Sequence, residues 1–223
     1  MRTFPLLAGL EASPVSGEST LEVRWVHPGE ITLAMIDWFG PFVSELESRE
    51  DVYFTARQFP GLSMKIRGGA VLDIKVASWS KGVLHVPGHV RGLLQSWRKW
   101  SFPLALAPEM RIESPDWVSV RKNRRIARFS FVDGQLTAQA HAVAGHGTTC
   151  SAEVTEVMKG GRSWWTLCFE AVGDPDILQA AIEATAALVF RDPVPDELTL
   201  GVVDSMSYPD WLRQSAPDHD TLI

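Results

Sequence analysis

The sequence predicts an α+β fold in which an antiparallel β tunnel or barrel carries flanking helices. Three observations predict it. Short segments alternate an apolar face with a charged one, Gly-containing dipeptides join them as hairpins, and two stretches between strands show helical spacing. At 223 residues the chain reaches a size that one β-barrel commonly fills, so residues 1–223 are read as a single domain.

The first strand spans residues 19–26, between a turn at Gly17-Glu18 and the break at Pro28-Gly29. Thr20, Glu22 and Arg24 share one face and Leu21, Val23 and Trp25 the other, the period of a half-buried strand. Ile31, Ala34, Met35 and Trp38 then recur at helical spacing as far as Gly40. A strand at 52–54 follows, and after Pro60-Gly61 the strands 62–67 and 70–76 form a hairpin about Gly68-Gly69. In its arms Lys65 and Arg67 alternate with Met64 and Ile66, and Asp73 and Lys75 with Leu72 and Ile74.

The pattern weakens over 83–113, where a short helix is expected over 89–100, followed by a connection bearing Pro103 and Pro108. Strands 117–132 and 135–143 flank Asp133-Gly134, with Lys122 and Arg124 following Val118 and Val120 on one face. Strands 150–158 and 163–171 join across Gly160-Gly161. Asp174-Pro175 opens a helix with Ile177, Ala180, Ala181, Ala184 and Leu188 at helical spacing. In the Pro- and Asp-rich tail, Tyr208, Trp211 and Leu212 are expected to dock as a short helix.

Composition narrows the function classes. With 45% hydrophobic and 22% charged residues the chain suits a packed globular protein rather than a disordered one. A formal net charge of -6 argues against nucleic-acid binding through overall positive potential, so any basic site must be local. Cys150 and Cys168 make no disulfide framework and no zinc spacing, which fits a reducing, cytoplasmic setting. Residues 1–10 lack the apolar core and cleavage site of a secretion signal, and no segment is apolar for long enough to span a bilayer. No membrane partner is expected. His85, His89, His141 and His146 lack a paired nucleophile, and Cys168 reads as a buried small residue.

The chemistry lies in the charged faces. For any single strand a charged face normally meets solvent. Here Arg24, Lys65, Arg67, Lys75, Lys122 and Arg124 all sit on alternating faces in a chain that is acidic overall. A closed sheet would turn such faces inward, because barrel closure makes interior and exterior residues alternate along every strand. The K-x-R pairs Lys65/Arg67 and Lys122/Arg124 have that spacing, and a ligand rich in phosphate oxygens would offset their mutual repulsion.

An ordered series of short motifs resembles the CYTH-type triphosphate tunnel enzymes, the superfamily of class IV adenylyl cyclases, thiamine triphosphatases and inorganic triphosphatases. Thr20-Leu21-Glu22-Val23-Arg24 resembles the opening E-x-E-x-K strand, with Thr20 at the first acidic position. Asp51-Val52-Tyr53-Phe54 is similar to the D-x-Y-F strand, and the stretches Leu62 to Arg67 and Leu72 to Lys75 follow at the family's distance. Val120-Arg121-Lys122-Asn123-Arg124 resembles the V-x-K-x-R strand, Trp164 to Gly173 the acidic strand before a helix, and Ser207 to Leu212 the closing S-Y-x-x-L-L element.

The resemblance implies a tunnel whose basic residues Lys65, Arg67, Lys75, Lys122 and Arg124 hold a triphosphate, with Arg24 added as a substrate-binding residue. It implies Glu22, Glu153 and Glu170 as ligands to Mg²⁺ or Mn²⁺, and Glu22 and Lys75 as catalytic residues. The acidic set departs from the family, since Thr20, Thr155 and Cys168 stand where carboxylates are usual. Three readings follow. The first is metal-dependent hydrolysis of a triphosphate-bearing small molecule. The second is a binding protein for a phosphorylated or polyanionic ligand that has lost catalysis. The third is an interaction module whose charged faces meet solvent.

Overall fold

The computed structural model describes residues 17–87, 90–104, 114–140, 147–192, 194–195 and 199–214. Expectations that fall on residues 1–10, on His89, His141 and His146, on Pro108 and on 141–143 lie outside them. The described strands are β1 (Glu18–Pro28), β2 (Glu45–Phe54), β3 (Leu62–Arg67), β4 (Val71–Val86), β5 (Val90–Pro103), β6 (Trp117–Val132), β7 (Gln135–Gln139), β8 (Thr148–Lys159) and β9 (Arg162–Val172). The helices are α1 (Leu33–Phe39), α2 (Leu178–Val189) and α3 (Tyr208–Gln214).

Eight strands close a ring in the order β2-β3-β4-β5-β1-β9-β8-β6, with β6 pairing back onto β2 and every pairing antiparallel. β6 is long enough to serve β2 along residues Trp117 to Ile126 and β7 beyond them on the same edge. The result is the α+β barrel that the alternation predicts. The hairpins at Gly68-Gly69, Asp133-Gly134 and Gly160-Gly161 are all present. At Asp133 the backbone φ is +49°, the left-handed region that a two-residue hairpin of the favoured twist demands and that Asp tolerates better than most residues.

Closure sends the two faces of each strand to different environments. Leu21, Val23 and Trp25 of β1, Leu167 and Phe169 of β9, and Ala152 and Val154 of β8 form a core with the buried face of α2: Leu178, Ala181, Ile182, Ala186 and Val189. Burying Leu178 and Ile182 contributes about 1.5–3 kcal/mol each. α1 is capped by Thr32, whose hydroxyl accepts from the Met35 amide at 3.3 Å, and it adds Met35 and Phe39 to this core. The opposite faces, including Thr20, Glu22 and Arg24, point into the barrel and are buried there.

α3 closes one end. Val26, Tyr53, Val120 and Val157 face inward at the same end of their strands, and Tyr208, Trp211 and Leu212 pack on them. The preceding segment is strapped to β1 by the Trp25–Ser205 bridge and by the Met206 amide donating to the Arg24 carbonyl at 3.0 Å. The tail helix is therefore a plug rather than a surface appendage.

Two expectations need correction. The helix expected over 89–100 is the strand β5, hydrogen-bonded to β4 on one edge and β1 on the other. Val90, Leu94 and Trp97 mimic helical spacing because this part of the wall is buried on both faces: Val90 and Leu94 join the helix-covered core while Trp97 lines the interior. β2 begins at Glu45, seven residues before the strand that the sequence suggests, because its outer face there, Leu46, Ser48 and Glu50, is mostly polar as well and carries no apolar alternation. In addition α2 starts at Leu178, after a turn in which the Asp174 side chain accepts from the Asp176 amide at 3.0 Å.

Gly92 on β5 has no room for a side chain, since an added Cβ would lie 2.4 Å from both Trp25 Cζ2 and Val23 Cγ2. Gly92→Ala is expected to cost about 1–3 kcal/mol through overpacking. Urea denaturation of the variant tests this, and an unchanged midpoint would contradict the close contact.

Candidate functional site

The enclosed faces surround a cavity of about 310 Å³ whose lining holds nine Lys and Arg side chains against five carboxylates. Asp51 beneath Lys122 and Glu45 beside Arg128 add two more acids, so cations still prevail. All six basic residues singled out in the sequence, Arg24, Lys65, Arg67, Lys75, Lys122 and Arg124, line this one cavity, as do Glu22, Glu153 and Glu170. Charged faces scattered over the solvent surface are thereby excluded for these residues.

The floor is built on Asp51, which is fully buried. Its carboxylate meets Lys122 Nζ at 3.0 Å, Arg49 Nε at 3.0 Å and Lys65 Nζ at 3.5 Å. Lys122 also donates to the Tyr53 hydroxyl at 2.5 Å and stands 4.0 Å from the centre of the Tyr208 ring. Tyr53 and Tyr208 stack with centroids 5.4 Å apart, and Arg24 covers Tyr208 at 4.3 Å. The plug helix thus supplies an aromatic face on which the floor cations rest.

On one wall Arg124 forms ion pairs with both Glu47 and Glu153. Glu153 also accepts from the Thr155 hydroxyl at 2.5 Å and lies 4.0 Å from Arg24. On the other wall Lys75 Nζ lies 2.8 Å from Glu22 and 2.6 Å from Glu170. Asp73 takes Arg67 at 3.3 Å, Lys65 at 3.8 Å and the Ser101 hydroxyl at 2.7 Å. Arg24 Nε and Arg124 Nε are buried donors with no acceptor among the described residues.

Burial and this density of charge shift the titrations. Burial alone would raise the Asp51 carboxyl, but Lys65, Lys122 and Arg49 hold it well below the usual carboxylate range. Glu153, opposed by Arg124 and Arg24, and Glu170, opposed by Lys75 and Lys99, are likewise depressed against the effect of their burial. Burial pushes Lys122 and Lys65 below the ordinary lysine range, and neighbouring cations add to the push. Burial also raises the Cys168 thiol, which suits a packing residue.

Four depressed carboxylates, those three and Glu47, make the fold acid-sensitive. Each binds its proton less readily in the native state than in the unfolded chain. Their contribution is therefore complete above an unfolded pKa of about 4 and is lost as pH falls through the lower folded values. Urea midpoints measured from pH 7 down to pH 3 are expected to fall steeply below about pH 4. A flat profile would contradict the ion pairs.

Several site residues were not singled out in the sequence. Glu45, Glu47, Arg49 and Asp51 alternate in the run E-L-E-S-R-E-D, a period-two signal of charges alone, and Asp51 and Tyr53 stand out in the sequence only as parts of the D-x-Y-F motif. Lys99 and Arg128 also reach the lining. Only the fold brings these seven to the cavity or against its lining.

A divalent metal fits these residues poorly. Among the described residues no three His, Cys, Asp or Glu side chains are arranged to hold one. Glu22 and Glu170 are committed to Lys75, and Glu153 to Arg124. Among the described residues no helix is long and apolar enough to cross a membrane.

No family model matches the chain, and no curated protein does. Among solved structures it is similar to a conserved hypothetical protein from Pyrococcus furiosus, at 16% identity over 86% of this chain and 98% of that one, with a TM-score of 0.45. It is also similar to a protein from Pyrococcus horikoshii OT3, at 13% identity over 86% and 98% of the two chains, with a TM-score of 0.41. Neither likeness bears on what the site does.

Proposed function

We propose that the barrel is a receptor for a compact polyanion, a triphosphate-bearing or otherwise phosphorylated small molecule. The observation that supports this most is the excess of Lys and Arg over carboxylates in a cavity closed at one end. Cations held this close repel one another and are poorly solvated, so the empty site is electrostatically strained in a way that phosphate oxygens relieve. Arg24 and Arg124 each keep a free buried donor to offer such oxygens. The ordered likeness to CYTH-type sequences supports the same ligand class.

Binding is expected to couple to protons. An anion beside Lys122 and Lys65 raises their proton affinity, so the complex takes up protons, and affinity falls as pH rises through their lowered titrations. Calorimetric titration with inorganic tripolyphosphate, in buffers of differing ionisation heat, tests both. One site, weakened by salt and accompanied by proton uptake, is the expected result. No heat and no thermal stabilisation at millimolar ligand would sink the proposal.

The second reading is metal-dependent hydrolysis with Glu22 and Lys75 in the reaction. In its favour Glu22 and Glu170 face each other directly across β1 and β9. Their engagement with Lys75 favours binding without turnover. Phosphate release from tripolyphosphate in Mg²⁺ or Mn²⁺ separates the two.

A further inference from the structure

Glu22 and Glu170 are direct partners in the β1/β9 register, and both side chains point into the barrel. Two carboxylates so placed repel each other unless a positive charge stands between them. A divalent ion is one solution, but such ions take several oxygen ligands; on β1 and β9 the next interior positions, Thr20 and Cys168, are not anionic, and Glu153, opposite Cys168 on β8, is held by Arg124. Lys75 reaches across from β4 and puts its ammonium in hydrogen-bonding distance of both acids, at 2.8 and 2.6 Å.

Lys75 and Glu22 are shielded from bulk water and Glu170 largely so, and solvent therefore screens these contacts little. Lys99 is the partner of Lys75 in the β4/β5 register and pairs with Glu18 at 3.9 Å. The Lys75 ammonium therefore stands between the two carboxylates, where a divalent cation would otherwise offset their repulsion.

We infer that Lys75 is a built-in substitute for a divalent metal between Glu22 and Glu170, so that the site is complete without metal. The side chain neutralises the acid pair, keeps both carboxylates from opposing an incoming anion, and leaves no vacancy for Mg²⁺ or Mn²⁺. Removing the ammonium uncovers a two-carboxylate site that recruits such an ion. Only the ligand-binding consequence rests on the polyanion-receptor reading, because the metal preference belongs to the three side chains alone.

Mn²⁺ titration followed by electron paramagnetic resonance tests this on the wild-type protein, Lys75→Met, and Lys75→Met combined with Glu22→Gln. Wild type is expected to bind no Mn²⁺ at the site, Lys75→Met to bind one ion on the order of tenfold or more tightly than wild type, and the double variant to lose it again. Lys75→Met leaves two acids opposed inside the barrel, so its melting temperature is expected to fall and to be restored in part by Mn²⁺, which leaves wild type unmoved. Wild-type Mn²⁺ binding that Glu22→Gln abolishes would overturn the inference, as would a folded Lys75→Met that binds no better than wild type. If Lys75→Met does not fold even with Mn²⁺, the wild-type titration decides. Tripolyphosphate affinity of wild type is expected to be the same with EDTA as without it. Absence of any tripolyphosphate binding would count against the receptor reading and leave the Mn²⁺ outcomes as they stand.

Discussion

Asp51→Asn is expected to lower stability by about 3–5 kcal/mol, the cost of breaking a buried ion pair by removing one partner. Asp51 is fully buried and is the shared counter-charge of Arg49, Lys65 and Lys122. Without it Lys122 keeps no ion-pair partner among the described residues and rests on the tyrosine faces, while Arg49 keeps only Glu47 and Lys65 only Asp73. For a chain of this size such a loss lowers the melting temperature by roughly 10 °C. The same variant is expected to gain more from tripolyphosphate than wild type does, because the ligand supplies negative charge that the floor lacks. Differential scanning with and without tripolyphosphate measures both effects. A loss below about 1 kcal/mol would mean that the floor charges are solvated rather than paired.

Lys122→Met is expected to have the opposite profile, with tripolyphosphate affinity falling on the order of 10- to 100-fold and stability changing little. Lys122 is an expensive cation to bury, since desolvation and Lys65 both act against its charge. A methionine of similar length can lie against Tyr53 and Tyr208 where the lysine ammonium now rests. Asp51 keeps Arg49 and Lys65 as partners. The proton uptake that accompanies binding should shrink in the same variant. If affinity were unchanged while stability collapsed, Lys122 would be a structural cation and the ligand would sit higher in the cavity.

The two variants separate what holds the barrel together from what it holds. Acid–cation pairs such as Asp51 with Arg49, or Glu153 with Arg124, stabilise the empty protein. The surplus of cations over acids, and the buried guanidinium donors left without acceptors, favour occupation.

Much of this was legible in the sequence. Alternation in β1, β3, β4 and β6 marked which residues share a face, the Gly-containing dipeptides marked the hairpins, and the six basic positions on those faces are the ones that meet in the cavity. Those features are local, fixed by the two-residue period of a strand and by the backbone angles of a two-residue turn. Which face is enclosed was not legible, because alternation is the same whether the charged face meets solvent or the inside of a ring. Closure of β6 onto β2 decided it. The strand β5 was hidden because apolar residues on both faces of a barrel wall imitate helical spacing, and the first part of β2 because polar residues on both faces show no apolar pattern. The partnership of Lys75 with Glu22 and Glu170 depends on side chains from β4, β1 and β9 meeting across the interior. Only the stagger of the closed sheet sets that meeting, and no single strand contains it.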